Sequence, residues 1–199
     1  MQIDTERLHY WFQAIRQSPD PMRTLDAFWK GQIASKEWLI NNLHNHVSKY
    51  VTVDICGGWV GVLASMMFQS TLPVSTIRSI DIDPSCEDIA NMMNKGEEIV
   101  GRFRAVTSDM CNIRCDADVI INTSCEHITQ DQYDLWISGV PLDSLLVLQS
   151  NNYDIPEHIR KANSLEEFKS QSNIKVLYAG EMQLPLYTRY MLIGKPDYV

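Results

Sequence analysis

The stretch Tyr50-Val51-Thr52-Val53-Asp54-Ile55-Cys56-Gly57-Gly58-Trp59-Val60-Gly61 decides the fold. Its first half is a short β-branched run, as a buried strand requires, and it ends abruptly in two glycines. From Val60 to Phe68 the apolar residues return at helical spacing. Strand, glycine turn and helix in that order begin a parallel sheet, because a parallel neighbour is reached only by a crossover that a helix supplies.

Outward from this unit the alternation continues. A second strand is expected over Ile77 to Ile82, a helix from about Pro84 to Asn94, a short strand from Phe103 to Val106 and a strong one from Ala117 to Ile121. A helix near Gln130 to Ser138 leads to a strand from Ser144 to Gln149, and a helix near Ser164 to Ser170 precedes two last strands, around Ile174 to Tyr178 and Arg189 to Ile193. On the N-terminal side, Leu8, Trp11, Phe12 and Ile15 recur at helical steps, as do Leu25, Phe28, Trp29 and Ile33, with Ser18-Pro19-Asp20-Pro21 as the break. A third helix is expected from Ser35, as N-cap, to His46. The pattern predicts an α/β protein: a Rossmann-like, doubly wound, mostly parallel sheet with helices on both faces, plus an N-terminal helical cap. One domain over 1–199 is expected, with 1–48 as the helical segment and 49–199 as the Rossmann-like core.

A length of 199 residues suits a single core, and the composition is 45% hydrophobic and 21% charged. With no run of 18 apolar residues and no basic-then-apolar leader, the expectation is a cytoplasmic protein with no membrane partner. The formal net charge of -8 argues against nucleic acid as a partner held through its phosphates. The aromatic residues of the N-terminal helices read as core, and their number leaves room for a homodimer interface. Cys111, Cys115, Cys125 and His127 have the residue types of a zinc site. The strand Val119-Ile120-Ile121 would hold the pairs apart, so buried thiols are the better reading and no metal is expected.

In an open α/β sheet ligands lie outside the carboxyl ends of the strands. Past the first strand come the glycines, which let the backbone turn tightly and approach a ligand. Past the second comes Asp81-Ile82-Asp83-Pro84, where a carboxylate can accept from both hydroxyls of a ribose and Asp83 can cap the next helix. Past the third comes Ser108-Asp109-Met110, and past the fourth Asn122-Thr123-Ser124-Cys125-Glu126-His127. Four successive strands ending in polar residues suited to one nucleoside are hard to explain as accident.

In the order of these motifs, from about Tyr50 to the C-terminus, the chain resembles the class I S-adenosylmethionine-dependent methyltransferases. Val53-Asp54 through Gly61 resembles the family's glycine-rich first motif, Asp81 its acidic ribose ligand, Asp109-Met110 the pair beside the adenine, and Asp118 to His127 the motif beside the methyl-transfer centre. The resemblance implies S-adenosylmethionine as cofactor, held by Asp54, Gly57, Gly58, Trp59, Gly61, Asp81, Ile82, Asp109, Met110, Asn122 and Thr123. It further implies that Gly58 and Gly61 pass close to the methionine part, that Asp109 accepts from the adenine amino group, and that Asn122 and Thr123 line the reacting end. Cys56 stands where the motif has its first glycine, and the spacing from Asp54 to Gly61 is one residue longer than the common form. Either the loop bulges and Trp59 covers the cofactor, or the loop has another job.

Methyl transfer needs alignment of the nucleophile and, where the acceptor holds a proton, a base. Asn122, Glu126 and His127 are the catalytic candidates, since an imidazole ordinarily titrates near ~6.5; the other reading of Glu126-His127 is a helix start that they merely cap. The fourth strand is not followed by an Asn-Pro-Pro-Tyr pattern, which with the acidic charge favours a small-molecule or protein acceptor over nucleic acid. Two alternatives remain open: an enzyme using the same cofactor for aminocarboxypropyl transfer or cofactor cleavage, and a non-catalytic S-adenosylmethionine-binding module. Gln149 to Tyr153 is expected as a polar loop after the fifth strand, near which His158 and Tyr187 to Tyr190 could gather.

Overall fold

A computed structural model of the chain describes residues 4–197. Its residues divide after Asp109 into two compact units. In the first lie the helices α1 (Thr5–Gln17), α2 (Pro21–Asp26), α3 (Lys30–Leu43), α4 (Val62–Gln69), α5 (Glu87–Met93) and α6 (Lys95–Ile99), with strands β1 (Val51–Cys56), β2 (Val74–Asp81) and β3 (Phe103–Thr107). β2 pairs in parallel with both β1 and β3. In the second lie β4 (Val119–Asn122), a 3-10 turn (Cys125–His127), α7 (Gln130–Ser138), β5 (Leu145–Asn151), α8 (Leu165–Ser170), β6 (Ile174–Gln183) and β7 (Thr188–Pro196). β5 runs parallel to β4, and β7 runs antiparallel to both β5 and β6. The seven strands have the order β3-β2-β1-β4-β5-β7-β6. This is the expected mostly parallel Rossmann-like sheet, closed at one edge by an antiparallel hairpin.

The near-continuous apolar strands are buried on both faces: all four residues of β4 and the last six of β5 are inaccessible to solvent. The N-terminal helices share a core with the helices that follow β1 and β2. Ala14 and Ala27 pack with Val60, Val62, Ile89 and Met93, and Trp11, Phe28 and Trp59 close around them. Trp11 also donates from its indole N–H to Ser65 Oγ at 3.1 Å, so this face is fixed by a directed bond as well as by area.

Three expectations about the elements are corrected. Ser35 is not an N-cap but a buried residue inside α3. The break falls earlier, at Trp29, whose extended backbone (φ -57, ψ 144) interrupts the helical run. Its ring folds back over Gly31, where a Cβ would come within 2.7 Å of it. Similarly, the helix after β2 starts at Glu87 and not near Pro84, and Asp83 does not cap it. The Asp83 carboxylate instead accepts from Ser85 N at 2.9 Å and Ser85 Oγ at 2.7 Å, a local turn that competes with helix formation, and pairs with Arg23 at 2.7 Å. Finally, Gln149, Ser150 and Asn151 are no loop but the buried end of β5, paired with Met191, Tyr190 and Arg189 of β7.

Around α7 the local signals agree with the result. Thr129 Oγ1 accepts from Gln132 N and Gln132 Oε1 from Thr129 N, a capping box that fixes the helix start. No helix among the described residues is long and apolar enough to cross a membrane.

Candidate functional site

In the first unit the glycine loop is built around Asp81, the last residue of β2. Asp81 Oδ2 accepts from Trp59 N at 2.7 Å, and Oδ1 accepts from Asp83 N at 3.0 Å. Each carboxylate oxygen has two lone pairs, so acceptor capacity for a diol remains on the same side chain. Ile82, next in sequence, leaves 68% of its surface exposed, an apolar side chain in the open beside the carboxylate. Asp109 follows β3 and is half-buried.

The loop itself is tightly constrained. Gly57, Trp59 and Gly61 all have left-handed backbone, with φ of 65, 48 and 79 degrees. At Trp59 this is a strained state for a large side chain. The residue therefore points its ring into the core shared with α1 and α5, and its indole N–H is buried without a partner. The Trp59 ring is engaged in this hydrophobic cluster. Gly58 is needed for close approach, since a Cβ there would lie 1.9 Å from Ser79 Oγ in β2. Gly61 is needed for its φ and because Asn94 Nδ2 would lie 2.6 Å from a Cβ; that amide holds Gly61 O at 3.0 Å. Asp54 is 3% exposed and holds Arg78 through two bonds, Nε at 2.8 Å and Nη2 at 2.5 Å. Its part in the loop is carried by this buried pair beneath it.

In the second unit, the residues past β4 form a polar cluster. Asn122 is 1% exposed; its Oδ1 accepts from Ser124 N at 2.9 Å and its Nδ2 approaches Met110 Sδ at 3.5 Å. Met110 also lines a cavity of about 260 Å³ together with Cys111, Ile113, Cys115, Trp136 and Val140. Thr123 is half-buried, and its carbonyl accepts from Arg189 Nη2 at 2.5 Å.

Glu126 is 2% exposed, and Oε1 accepts from Asn151 Nδ2 at 2.5 Å and lies 3.4 Å from Arg189 Nη1. Oε2 is buried with no partner. His127 is exposed and gives its Nδ1 to Glu157 O at 3.1 Å; His158 gives its Nδ1 to Tyr153 O at 2.9 Å. The two imidazoles meet edge to face at 4.7 Å, and Tyr153 and Tyr187 extend the aromatic row.

Sequence reading picked out Glu126 and His127 but not Asn151 and Arg189 as buried partners of Glu126, nor Gln149 as a partner of Arg189. A pattern signal existed, since three polar residues end an otherwise apolar strand. Only the antiparallel register of β7 shows that Arg189 lies across from Asn151. Arg160 was also missed: its guanidinium stacks 3.9 Å over the Tyr133 ring and its Nη2 donates to Gln171 O at 2.6 Å. Cys125 is fully buried, and burial pushes its thiol up to about 12. Cys111, Cys115, Cys125 and His127 do not form a cluster. Among the described residues, Glu126, His127 and His158 alone gather as three groups able to hold an ion.

No family model matches the sequence, and no curated protein matches it. Solved structures do share its fold. Magnesium protoporphyrin IX methyltransferase (ChlM) from Synechocystis PCC 6803 with bound SAH superposes with a TM-score of 0.63 at 13% identity, over 96% of this chain and 94% of that one. A putative sarcosine dimethylglycine methyltransferase from Galdieria sulphuraria gives 0.64 at 12%, over 84% and 88%. A mutant of MtNAS in complex with S-adenosylmethionine gives 0.59 at 14%, over 96% and 72%. The chain has the fold of the class I S-adenosylmethionine-dependent methyltransferases, and neighbours of that fold bind S-adenosylmethionine or its demethylated product.

Proposed function

We propose that this chain is an S-adenosylmethionine-dependent methyltransferase acting on a small molecule or a protein side chain. The observation that carries the reading is the 2.7 Å bond from Trp59 N to Asp81, which joins the glycine turn after β1 to the carboxylate at the end of β2. A carboxylate held by two backbone donors is fixed in orientation, and its remaining lone pairs suit the two hydroxyls of a ribose. Exposed Ile82 suits the face of an adenine, and Asp109 its amino group. Gly57, Gly58, Trp59 and Gly61 shape the turn for the methionine part, with Asp54 stiffening it from below through Arg78. The same resemblance assigns Met110, with Asp109, to the adenine and Asn122 and Thr123 to the reacting end.

The cofactor supplies a methyl group already activated on a sulfonium, so the protein's work is alignment of the acceptor and removal of its proton. With Nδ1 turned to Glu157 O, His127 offers Nε2 as the acceptor of that proton. Glu126, the neighbour of His127 in the same 3-10 turn, is anchored by Asn151 and Arg189. Aminocarboxypropyl transfer or cofactor cleavage is the second reading, favoured by the strained left-handed Trp59 in a loop that departs from the family's glycine pattern.

Calorimetric titration with S-adenosylmethionine tests the cofactor, alongside Asp81→Asn and Asp109→Ala. Binding by the unmodified chain that is weakened in both variants supports the proposal, and absence of binding refutes it. The nucleoside product then separates the chemistries, since S-adenosylhomocysteine marks methyl transfer and methylthioadenosine marks the other.

A further inference from the structure

We infer that Glu126, His127 and His158 form a binding site for one divalent transition-metal ion of zinc-like chemistry. Their ligand atoms all lie within 4.8 Å of one another, at the exit of β4 and in the segment after β5. A tetrahedral ion at ~2.1 Å from each donor would draw them to about 3.4 Å apart. His127 is exposed and His158 half-buried, so neither ring is locked in a packed core.

Two features set this trio apart from a chance grouping. The first is the state of the histidines. Both spend Nδ1 on a backbone carbonyl, Glu157 O and Tyr153 O, which fixes the proton there and leaves the Nε2 lone pairs free. A metal-ligating imidazole is oriented in this way, with its second nitrogen donating to a carbonyl or carboxylate. The second is the carboxylate. Glu126 is 2% exposed, and while Oε1 is held by Asn151 and Arg189, Oε2 is buried with no hydrogen-bond donor. A buried carboxylate oxygen without a donor is an open ligand position, and a cation between it and the two imidazoles is the partner whose chemistry matches all three groups.

Two nitrogens and one carboxylate oxygen make a three-ligand set, which leaves one tetrahedral position for water or for an oxygen or sulfur of an acceptor. The exposed side of His127 gives that position access to solvent. An ion held on Nε2 would occupy the lone pair proposed above as proton acceptor, so a metal-loaded His127 would serve as a ligand and that base would be needed elsewhere. The inference stands without the cofactor reading, because the three ligands and their partners all belong to the second unit.

The test is a titration of chelator-treated full-length protein with Co2+ in the absence of any nucleoside, followed by visible absorption, with Zn2+ then added as competitor. The expected result is one Co2+ per chain with the intense bands of a tetrahedral site, displaced by Zn2+. His127→Ala and His158→Ala should each weaken binding by at least about tenfold, while His9→Ala, an exposed histidine elsewhere, leaves it unchanged. His127 is exposed, so its variant should keep the circular dichroism of the parent and the comparison does not depend on Glu126. Absence of saturable binding overturns the inference, as does unchanged affinity in both histidine variants. Neither result bears on S-adenosylmethionine binding, which is measured separately.

Discussion

Replacing Arg189 with methionine should be among the most damaging single changes in the second unit. The guanidinium is 6% exposed and donates from Nε to Gln149 Oε1 at 3.3 Å, from Nη1 to Glu126 Oε1 at 3.4 Å and from Nη2 to Thr123 O at 2.5 Å. At 3.4 Å and an effective dielectric constant near 20, its attraction to the Glu126 carboxylate is about 5 kcal/mol before desolvation. Removing it leaves a buried carboxylate uncompensated, a change that costs about 3–5 kcal/mol. Urea unfolding followed by circular dichroism should show this as a midpoint lowered by roughly 2 M, for a slope of about 2 kcal/mol per molar. Glu126→Gln should also destabilise, but the double variant should be far milder than the sum, with a coupling of at least about 2 kcal/mol. Additive losses would refute the claim that these two charges stabilise one another.

Gly58→Ala forces a Cβ to 1.9 Å from Ser79 Oγ, so it should cost about 2–3 kcal/mol by thermal melting, and Ser79→Ala should restore part of it in the double variant. Gly61→Ala should cost at least about 1 kcal/mol even where space is made, because φ is 79 degrees. Asp83 titrates at about 2, held down first by the Ser85 side-chain bond, then by the Ser85 backbone bond and Arg23. Because the folded value lies below the ordinary one of 3.8, its stabilisation is present above that pH and is lost as pH falls through about 2. Carboxyl NMR titration should show Ser85→Ala raising this value more than Arg23→Ala does, with a stability change below about 1 kcal/mol for so exposed a pair. In the native protein, thiol labelling at pH 8 should reach Cys111 well before Cys86 and Cys125, whose burial pushes them up to about 11 and about 12.

The sheet was legible because its central strands β1, β4 and β5 are short, largely apolar runs, and because strand ends are punctuated, as at Gly57-Gly58 and Asp83-Pro84. Element boundaries were less legible where a side chain competes with the backbone. Asp83 holds Ser85 and delays α5 by about a turn, and the Trp29 ring folding over Gly31 moves a helix break that periodicity placed near Ser35. Neither effect alters the hydrophobic spacing, so spacing could not reveal them. At the candidate site, the residues past β1 to β4 were readable from position alone. Their partners were not: Asp54 meets Arg78 and Glu126 meets Arg189 through strand registers that no local pattern encodes.

The distinction between groups spent in folding and groups left available narrows where reaction can occur. Asp54 accepts from Arg78 on both oxygens, Asn122 accepts from Ser124 N at Oδ1 and donates from Nδ2 toward Met110 Sδ, and Cys125 is sealed as a thiol. Such groups can position others, but changing their bonding during a reaction would disrupt the contacts that hold the strand ends. Asp81 has lone pairs beyond its two backbone donors, His127 and His158 have Nε2, and Glu126 has Oε2. Substitution should therefore divide these residues into two classes. Asp54→Asn and Asn122→Ala should lower stability and activity together, whereas Asp81→Asn should weaken cofactor affinity at nearly constant melting temperature, and His158→Ala should do so for metal affinity. If Asp81→Asn unfolds the protein as readily as Asp54→Asn, Asp81 is only a loop brace and not a ribose ligand.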